Sequence, residues 1–240
     1  MMTAILKALN IVAGYGKLIV VRNVTVEVGK NEVVVIVGPN GSGKSTLQKS
    51  ILGFSKIFSG KVIYDGKDIT GIRADHAVKM GIGYVPQINN VFTNLTVEEN
   101  LEIGAYLKND KNLVKANIEE VYDMFPTLRA HRHERASNLS GGERQMLALA
   151  RAMVYKPKIL LFDEPTSSLS PKIASQVLSH VREVCDFGVP VLMAEQNARK
   201  GLAISDRGYI LVDGSCVKEG LAKEILNDEK IGRLYLGLKT

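Results

Sequence analysis

Residues 38–46 read GPNGSGKST, in which Gly38 and Gly43 bracket Pro39, Asn40, Gly41 and Ser42, and Lys44, Ser45 and Thr46 follow. Glycines reach backbone angles closed to other residues, so successive N–H groups of such a loop can turn inward and wrap a chain of phosphates. Lys44 is placed to neutralise the terminal phosphates, and the Ser45 hydroxyl to ligate Mg²⁺. A second group lies in KILLFDEPTSS, residues 158–168, where an apolar run ends in Asp163 and Glu164. Ligands of open α/β sheets sit at the carboxyl ends of strands. There Asp163 can reach the metal ion through its shell, and Glu164 can polarise a water for attack on a γ-phosphate.

A third stretch, NLSGGERQMLALARAM at 138–153, opens an amphipathic helix with two glycines in its first turn. Ser140 and Glu143 form a capping box, which explains two residues of the four. Gly141 and Gly142 each cost about 1 kcal/mol relative to alanine inside a helix. An anion approaching the helix N-terminus closely would account for them.

The elements that must position these groups are legible around them. Val24, Val26 and Val28 alternate with polar residues as in a half-buried strand, so an antiparallel sheet opens the fold. EVVVIV at 32–37 suits a strand covered on both faces, and a helix from Lys44 to Leu52 follows that Gly53 can cap. Residues 60–70 form a hairpin turning at Asp65-Gly66. From Asn89 to Asn138 the pattern is helical, with Thr96 and Glu99 as a capping box and Val114, Ile118, Val121, Tyr122 and Phe125 on one face before Pro126. After a helix at 140–155 come three strand–helix pairs: KILLF then 171–186, VPVLMA then 197–204, and RGYILVDG then a helical end from 221. The expected fold is α/β: a P-loop NTPase core, with a mostly parallel sheet flanked by helices, an antiparallel β subdomain and an inserted helical subdomain. Residues 1–240 make one domain, with 1–88 and 139–240 as the nucleotide-binding core and 89–138 as the helical lobe.

Composition narrows the function classes. The 240 residues are 45% hydrophobic and 23% charged, enough to bury a large core. No apolar run approaches the ~18 residues that cross a bilayer. The opening MMTAILKALN lacks the pattern of a signal peptide, and the expected compartment is the cytoplasm. Cys185 and Cys216 form no metal or disulfide spacing. A net charge of +6 fits phosphate ligands or a membrane surface better than nucleic acid, which is not expected as a partner. His131 and His133, two apart in HRHER, read as a solvated run rather than a metal site.

In this order the three segments resemble the ATP-binding cassette of ABC transporters: GPNGSGKST as its Walker A, LSGGERQ as its signature and ILLFDEP as its Walker B. Gln87 in YVPQ matches the family's Q-loop and Tyr15 in GYGKL its adenine-stacking aromatic, so the resemblance spans nearly the whole chain. It implies ATP and Mg²⁺ as ligands, with Gln87 joining the metal to the lobe that docks a membrane subunit. It also implies a second cassette in a head-to-tail pair, whose Ser140, Gly141 and Gly142 close over the γ-phosphate held by the first. Permease subunits and an extracytoplasmic solute-binding protein would complete the assembly at the cytoplasmic face of the membrane.

Two positions depart from the family pattern. Gln196 stands where many cassettes have a switch histidine, and can hydrogen-bond a γ-phosphate but not relay a proton. Ser170 stands where the D-loop often has aspartate. EQNA at 195–198, DRGYIL at 206–211 and RLYLG at 233–237 are similar to the smaller ATP-binding subunit of branched-chain amino-acid importers. Importers of that subgroup pair it with a larger relative, a second copy of this chain being the alternative partner cassette. The competing reading is a non-transport cassette of the DNA-repair or translation type, which usually carries a long coiled-coil insertion or two cassettes in one chain. Neither feature is present here. A P-loop GTPase is disfavoured because no Asn-Lys-x-Asp occurs.

Overall fold

The valine alternation near the start belongs to a long hairpin. In the computed structural model, which describes residues 4–88, 90–229 and 231, β1 (Ala4–Tyr15) pairs antiparallel with β2 (Leu18–Gly29). β1 also pairs with β4 (Lys56–Tyr64), which turns at Asp65-Gly66 into the short β5 (Lys67–Asp68). This gives a four-stranded sheet of order β2-β1-β4-β5. The turn has φ of 48° at Asp65 and 75° at Gly66, the left-handed angles that an Asp-Gly hairpin supplies.

The second sheet is the scaffold of the site. Its order is β10-β9-β3-β8-β7-β6, built from β3 (Val33–Val37), β6 (Ile82–Val85), β7 (Ile159–Asp163), β8 (Val191–Glu195), β9 (Arg207–Val212) and β10 (Ser215–Leu221). The ladders β9-β3, β3-β8, β8-β7 and β7-β6 are parallel. β3, β7 and β8 are buried at every position, which is why they read as unbroken apolar runs. Alternation along the strands divides the core in two. Val33, Val35, Leu160 and Phe162 face helices, whereas Val34, Ile36, Ile159 and Leu161 face α1 (Lys44–Ile51) and the antiparallel sheet.

Between β6 and α6 (Gly141–Val154) lie α3 (Val97–Gly104), α4 (Lys111–Met124) and α5 (Pro126–Ala130); α2 (Ala74–Lys79) precedes β6. Both capping boxes are formed: Thr96 N–H donates to Glu99 at 2.7 Å, and Ser140 N–H to Glu143 at 2.7 Å. Pro126 ends α4 and occupies the first turn of α5. Leu101, Tyr122 and Leu128 of this region share one buried cluster with Leu149 and Phe162, so the helices and the parallel sheet have a continuous core. The expected boundary at Asn89 lies outside the described residues, as does the RLYLG segment.

The third strand–helix pair needs correction. β9 first turns back at Asp213-Gly214, with φ of 47° and 80°, into the antiparallel β10; only then does α9 (Ala222–Asn227) begin. This turn backs the phosphate-loop region: Gly214 N–H donates to Ser42 O at 3.2 Å, and Arg22 N–H to Gly214 O at 2.7 Å. α7 (Pro171–Asp186) and α8 (Ala198–Ala203) follow their strands as expected. Among the described residues no helix is long and apolar enough to cross a membrane.

Gly53 closes α1 as expected. Its φ is 76°, Phe54 N–H reaches back to Lys49 O at 2.8 Å, and a Cβ on Gly53 would lie 1.8 Å from Ile72 O. Gly53→Ala therefore meets both a left-handed backbone and an immovable carbonyl. Thermal unfolding followed by circular dichroism should show a loss of about 2 kcal/mol or more, roughly 4 °C or more in Tm at this chain length.

Candidate functional site

The carboxyl ends of four neighbouring strands converge on one place. β3 runs into Gly38–Thr46, β6 into Gln87, β7 into Asp163 and Glu164, and β8 into Glu195 and Gln196. At the loop after β3, a Cβ on Gly38 would lie 2.1 Å from Leu211 O, so only glycine fits. Gly41 and Gly43 have φ of 79° and 98°, in the left-handed region that glycine favours. Lys44, 3% exposed, donates to Gly38 O at 2.9 Å and Pro39 O at 3.1 Å. The Ser42 hydroxyl is buried with no hydrogen-bond partner among the described residues. A glycine cradle, an orphaned hydroxyl and a buried ammonium are the features a polyphosphate would complete.

The acidic pair meets this loop directly. Asp163 Oδ1 accepts a 2.8 Å hydrogen bond from the Ser45 hydroxyl, and Glu164 Oε1 lies 3.5 Å from Lys44 Nζ. Gln87 Nε2 donates to Glu164 Oε2 at 2.7 Å and approaches Ser167 Oγ at 3.3 Å. Thus Lys44, Ser45, Gln87, Asp163 and Glu164, expected from the sequence, form one connected group. Glu164 has φ of 47°, a left-handed angle for a side-chain-bearing residue that costs roughly 1–2 kcal/mol. Burial pushes the Asp163 carboxyl above the ordinary carboxylate range, the Ser45 hydrogen bond pulls against it, and Glu164 adds to the rise. Burial also raises the Tyr84 hydroxyl, with the Asp163 charge as the next cause.

The remaining expected residues are placed more loosely. Gln196 is exposed on the rim of a cavity of about 450 Å³ that Glu164, Ser168 and Glu195 also line. Tyr15 is 45% exposed at the end of β1. Ser170 is the exposed N-cap of α7. Ser140 and Gly141 lie at the N-terminus of α6, and no hydrogen bond among the described residues joins them to residues 38–46. Gly142 has a reason within the chain: its Cβ would lie 2.3 Å from Ile173 Cγ2 of α7. His131 and His133 face Glu134 and Glu98 at the surface.

Two residues escaped the sequence reading. Gln48 is fully buried in α1, and its Nε2 donates to Leu192 O at 2.9 Å and Phe162 O at 3.3 Å, pinning the phosphate-loop helix to β8 and β7. The signal was a polar residue on the same helical face as Leu47, Ile51 and Leu52. Glu195, a buried carboxylate ending an apolar strand, is the other.

Residues 21–167 match the ABC transporter family. The chain belongs to that family. It is 45% identical to the probable branched-chain amino acid transport ATP-binding protein LivF of Archaeoglobus fulgidus, over 97% of this chain and 99% of that one. The high-affinity branched-chain amino acid transport ATP-binding protein BraG of Pseudomonas aeruginosa is 39% identical, over 93% and 95%. The lipopolysaccharide export system ATP-binding protein LptB of Haemophilus influenzae is 34% identical, over 98% of each. In structure the chain is similar to the ADP conformation of MJ1267, an ATP-binding cassette of an ABC transporter, with TM-score 0.87 and 29% identity, covering 99% of this chain and 100% of that one. The α/β fold with a P-loop NTPase core is thereby that of an ABC cassette, and the chain is an ATPase of this family.

The Asp163 shift carries a stability consequence. Its pKa is raised by folding, so ionisation disfavours the folded state increasingly as pH rises from the ordinary value of 3.8 through the folded value. Asp163→Asn keeps an acceptor for Ser45 and removes that charge. The nucleotide-free variant should melt higher than the parent at pH 7, with the gain shrinking towards pH 4 in calorimetry.

Proposed function

We propose that this chain is the ATP-hydrolysing subunit of an ABC importer that takes up branched-chain or other hydrophobic amino acids. The observation that carries the reading is 45% identity with the LivF protein over nearly the full length of both chains. The importer relatives, at 45% and 39%, stand above the export relative at 34%.

In this proposal Gly38, Gly41, Gly43 and the backbone around Pro39, Asn40, Ser42 and Thr46 cradle the phosphates of ATP, and Lys44 turns from the Gly38 and Pro39 carbonyls to the terminal phosphates. Tyr15 offers its exposed ring to the adenine. Ser45 and Asp163, hard oxygen donors already 2.8 Å apart, would hold Mg²⁺ together with Gln87, and the ion would supply charge neutralisation at the phosphates. Glu164 accepts the proton of the attacking water, held beforehand by Lys44 and Gln87. Gln196 hydrogen-bonds the γ-phosphate. Hydrolysis cleaves the bond between the β,γ-bridging oxygen and the γ-phosphorus, and water supplies the new oxygen on phosphate.

The exposed N-terminus of α6 supports a role across an interface: Ser140, Gly141 and Gly142 would cap the γ-phosphate of a second cassette, and Gly142 also sets how closely α6 packs on α7. The second cassette is a larger paralogue in this reading. Residues 1–88 and 139–240 act as the nucleotide-binding core and 89–138 as the helical lobe that docks a permease at the cytoplasmic face of the membrane. A solute-binding protein delivers cargo from outside.

Glu164→Gln should lower steady-state ATP turnover by about a hundredfold or more while leaving ATP affinity within about threefold; turnover at the parental rate would remove Glu164 from its assigned role. Co-purification of the membrane partner, followed by proteoliposome transport assays, should give ATP-dependent uptake of leucine, isoleucine or valine. Uptake of none of these, with another solute or lipid moved instead, would overturn the cargo assignment.

A further inference from the structure

Glu195 has no part in the reading above, yet it is 2% exposed and every bond it makes leads to a functional loop. Its Oε1 accepts from the N–H of Gln196 at 2.9 Å and of Asn197 at 3.0 Å, and its Oε2 accepts from the Thr166 hydroxyl at 2.9 Å. Thr166 is itself buried and follows Glu164 by two residues. Alongside, Glu164 N–H donates to Ala194 O at 2.8 Å. Val191–Ala194 are apolar, as the interior of a parallel sheet requires. A carboxylate in the next position costs several kcal/mol to bury unless its oxygens are satisfied. Here they are satisfied by the segment after Glu164 and by the segment carrying Gln196.

We propose that Glu195 is a positioning residue whose carboxylate ties the Glu164–Ser168 segment to the Gln196–Asn197 segment, so that the base and the γ-phosphate contact keep one mutual geometry. The inference rests on the reading that Glu164 and Gln196 act on ATP. Glu195 touches neither nucleotide nor water in this scheme; it acts through Thr166 and the backbone of Gln196. The strained φ of 47° at Glu164 gives the tie its purpose, because a left-handed residue relaxes unless its neighbours over-determine it. Coupling of this kind is measured by a double-mutant cycle.

The test is steady-state ATP hydrolysis by the full chain with Glu195→Ala, Thr166→Val, the double variant and Glu195→Gln, and with Glu164→Gln as a control. Glu195→Ala should lower kcat about tenfold or more with KM for ATP within about threefold, and Thr166→Val should lower kcat several-fold, about as far as one lost buried hydrogen bond. The double variant should be no slower than Glu195→Ala. Glu195→Gln should recover to within about threefold of the parent, because its amide oxygen still accepts both backbone N–H groups and its NH₂ can donate to Thr166. Multiplying effects of Glu195→Ala and Thr166→Val, or a Glu195→Gln variant as slow as Glu195→Ala, would overturn the tie. If Glu195→Ala does not fold, an unchanged kcat in Thr166→Val overturns it alone. Undiminished hydrolysis in Glu164→Gln would instead strike the underlying base assignment and leave the Glu195–Thr166 coupling separately measurable.

Discussion

The charge balance between Lys44 and the adjacent carboxylates Asp163 and Glu164 is the constraint around which this site is built. Two acids side by side at the end of a buried strand repel one another and lose their hydration. They persist because Lys44 stands 3.5 Å from Glu164 and Ser45 donates to Asp163 at 2.8 Å. Those two partners are consecutive residues at the start of one helix, so the loop after β3 and the end of β7 must meet in a single register. Gln48, one turn further along the same helix, fixes that register by donating to the carbonyls of β7 and β8. The strand order, with β8 between β3 and β7, places these donors where the acids emerge.

The same arrangement holds the groups of the site on one another. Lys44 spends its donors on Gly38 O, Pro39 O and Glu164, and Gln87 spends one on Glu164. These contacts leave the ammonium, the amide and the carboxylate satisfied by one another within a buried site.

Much of this was written in the sequence because the chemistry is local. The glycine spacing of 38–46, the apolar runs of β3, β7 and β8, and both capping boxes depend on residues within one turn or one strand, and each formed as read. What escaped depends on distant parts of the chain. Gln48 and Glu195 look like exceptions in apolar patterns until their partners, 114 to 144 and 29 residues away, are in view. Beside the space for an anion that the glycine pair at 141 and 142 offers, the Ile173 side chain on α7 gives Gly142 a packing reason that spacing along the chain does not reveal. β10 is a different case. Asp213-Gly214 has the same chemistry as Asp65-Gly66, and the strand after it gives no apolar alternation because its residues are exposed or half-buried rather than buried.

That overlooked hairpin has an effect on how the molecule comes into being. Ser42, early in the chain, leans on Gly214, which leans in turn on Arg22. A polypeptide emerging from the ribosome therefore carries its glycine loop at 38–46 long before the piece that braces it from behind has been synthesised. Closing such a span is slow compared with forming helices from neighbouring residues. The loop at 38–46 thus gains this contact only late in synthesis, and a nascent chain that ended ahead of Gly214 would hold the loop without it.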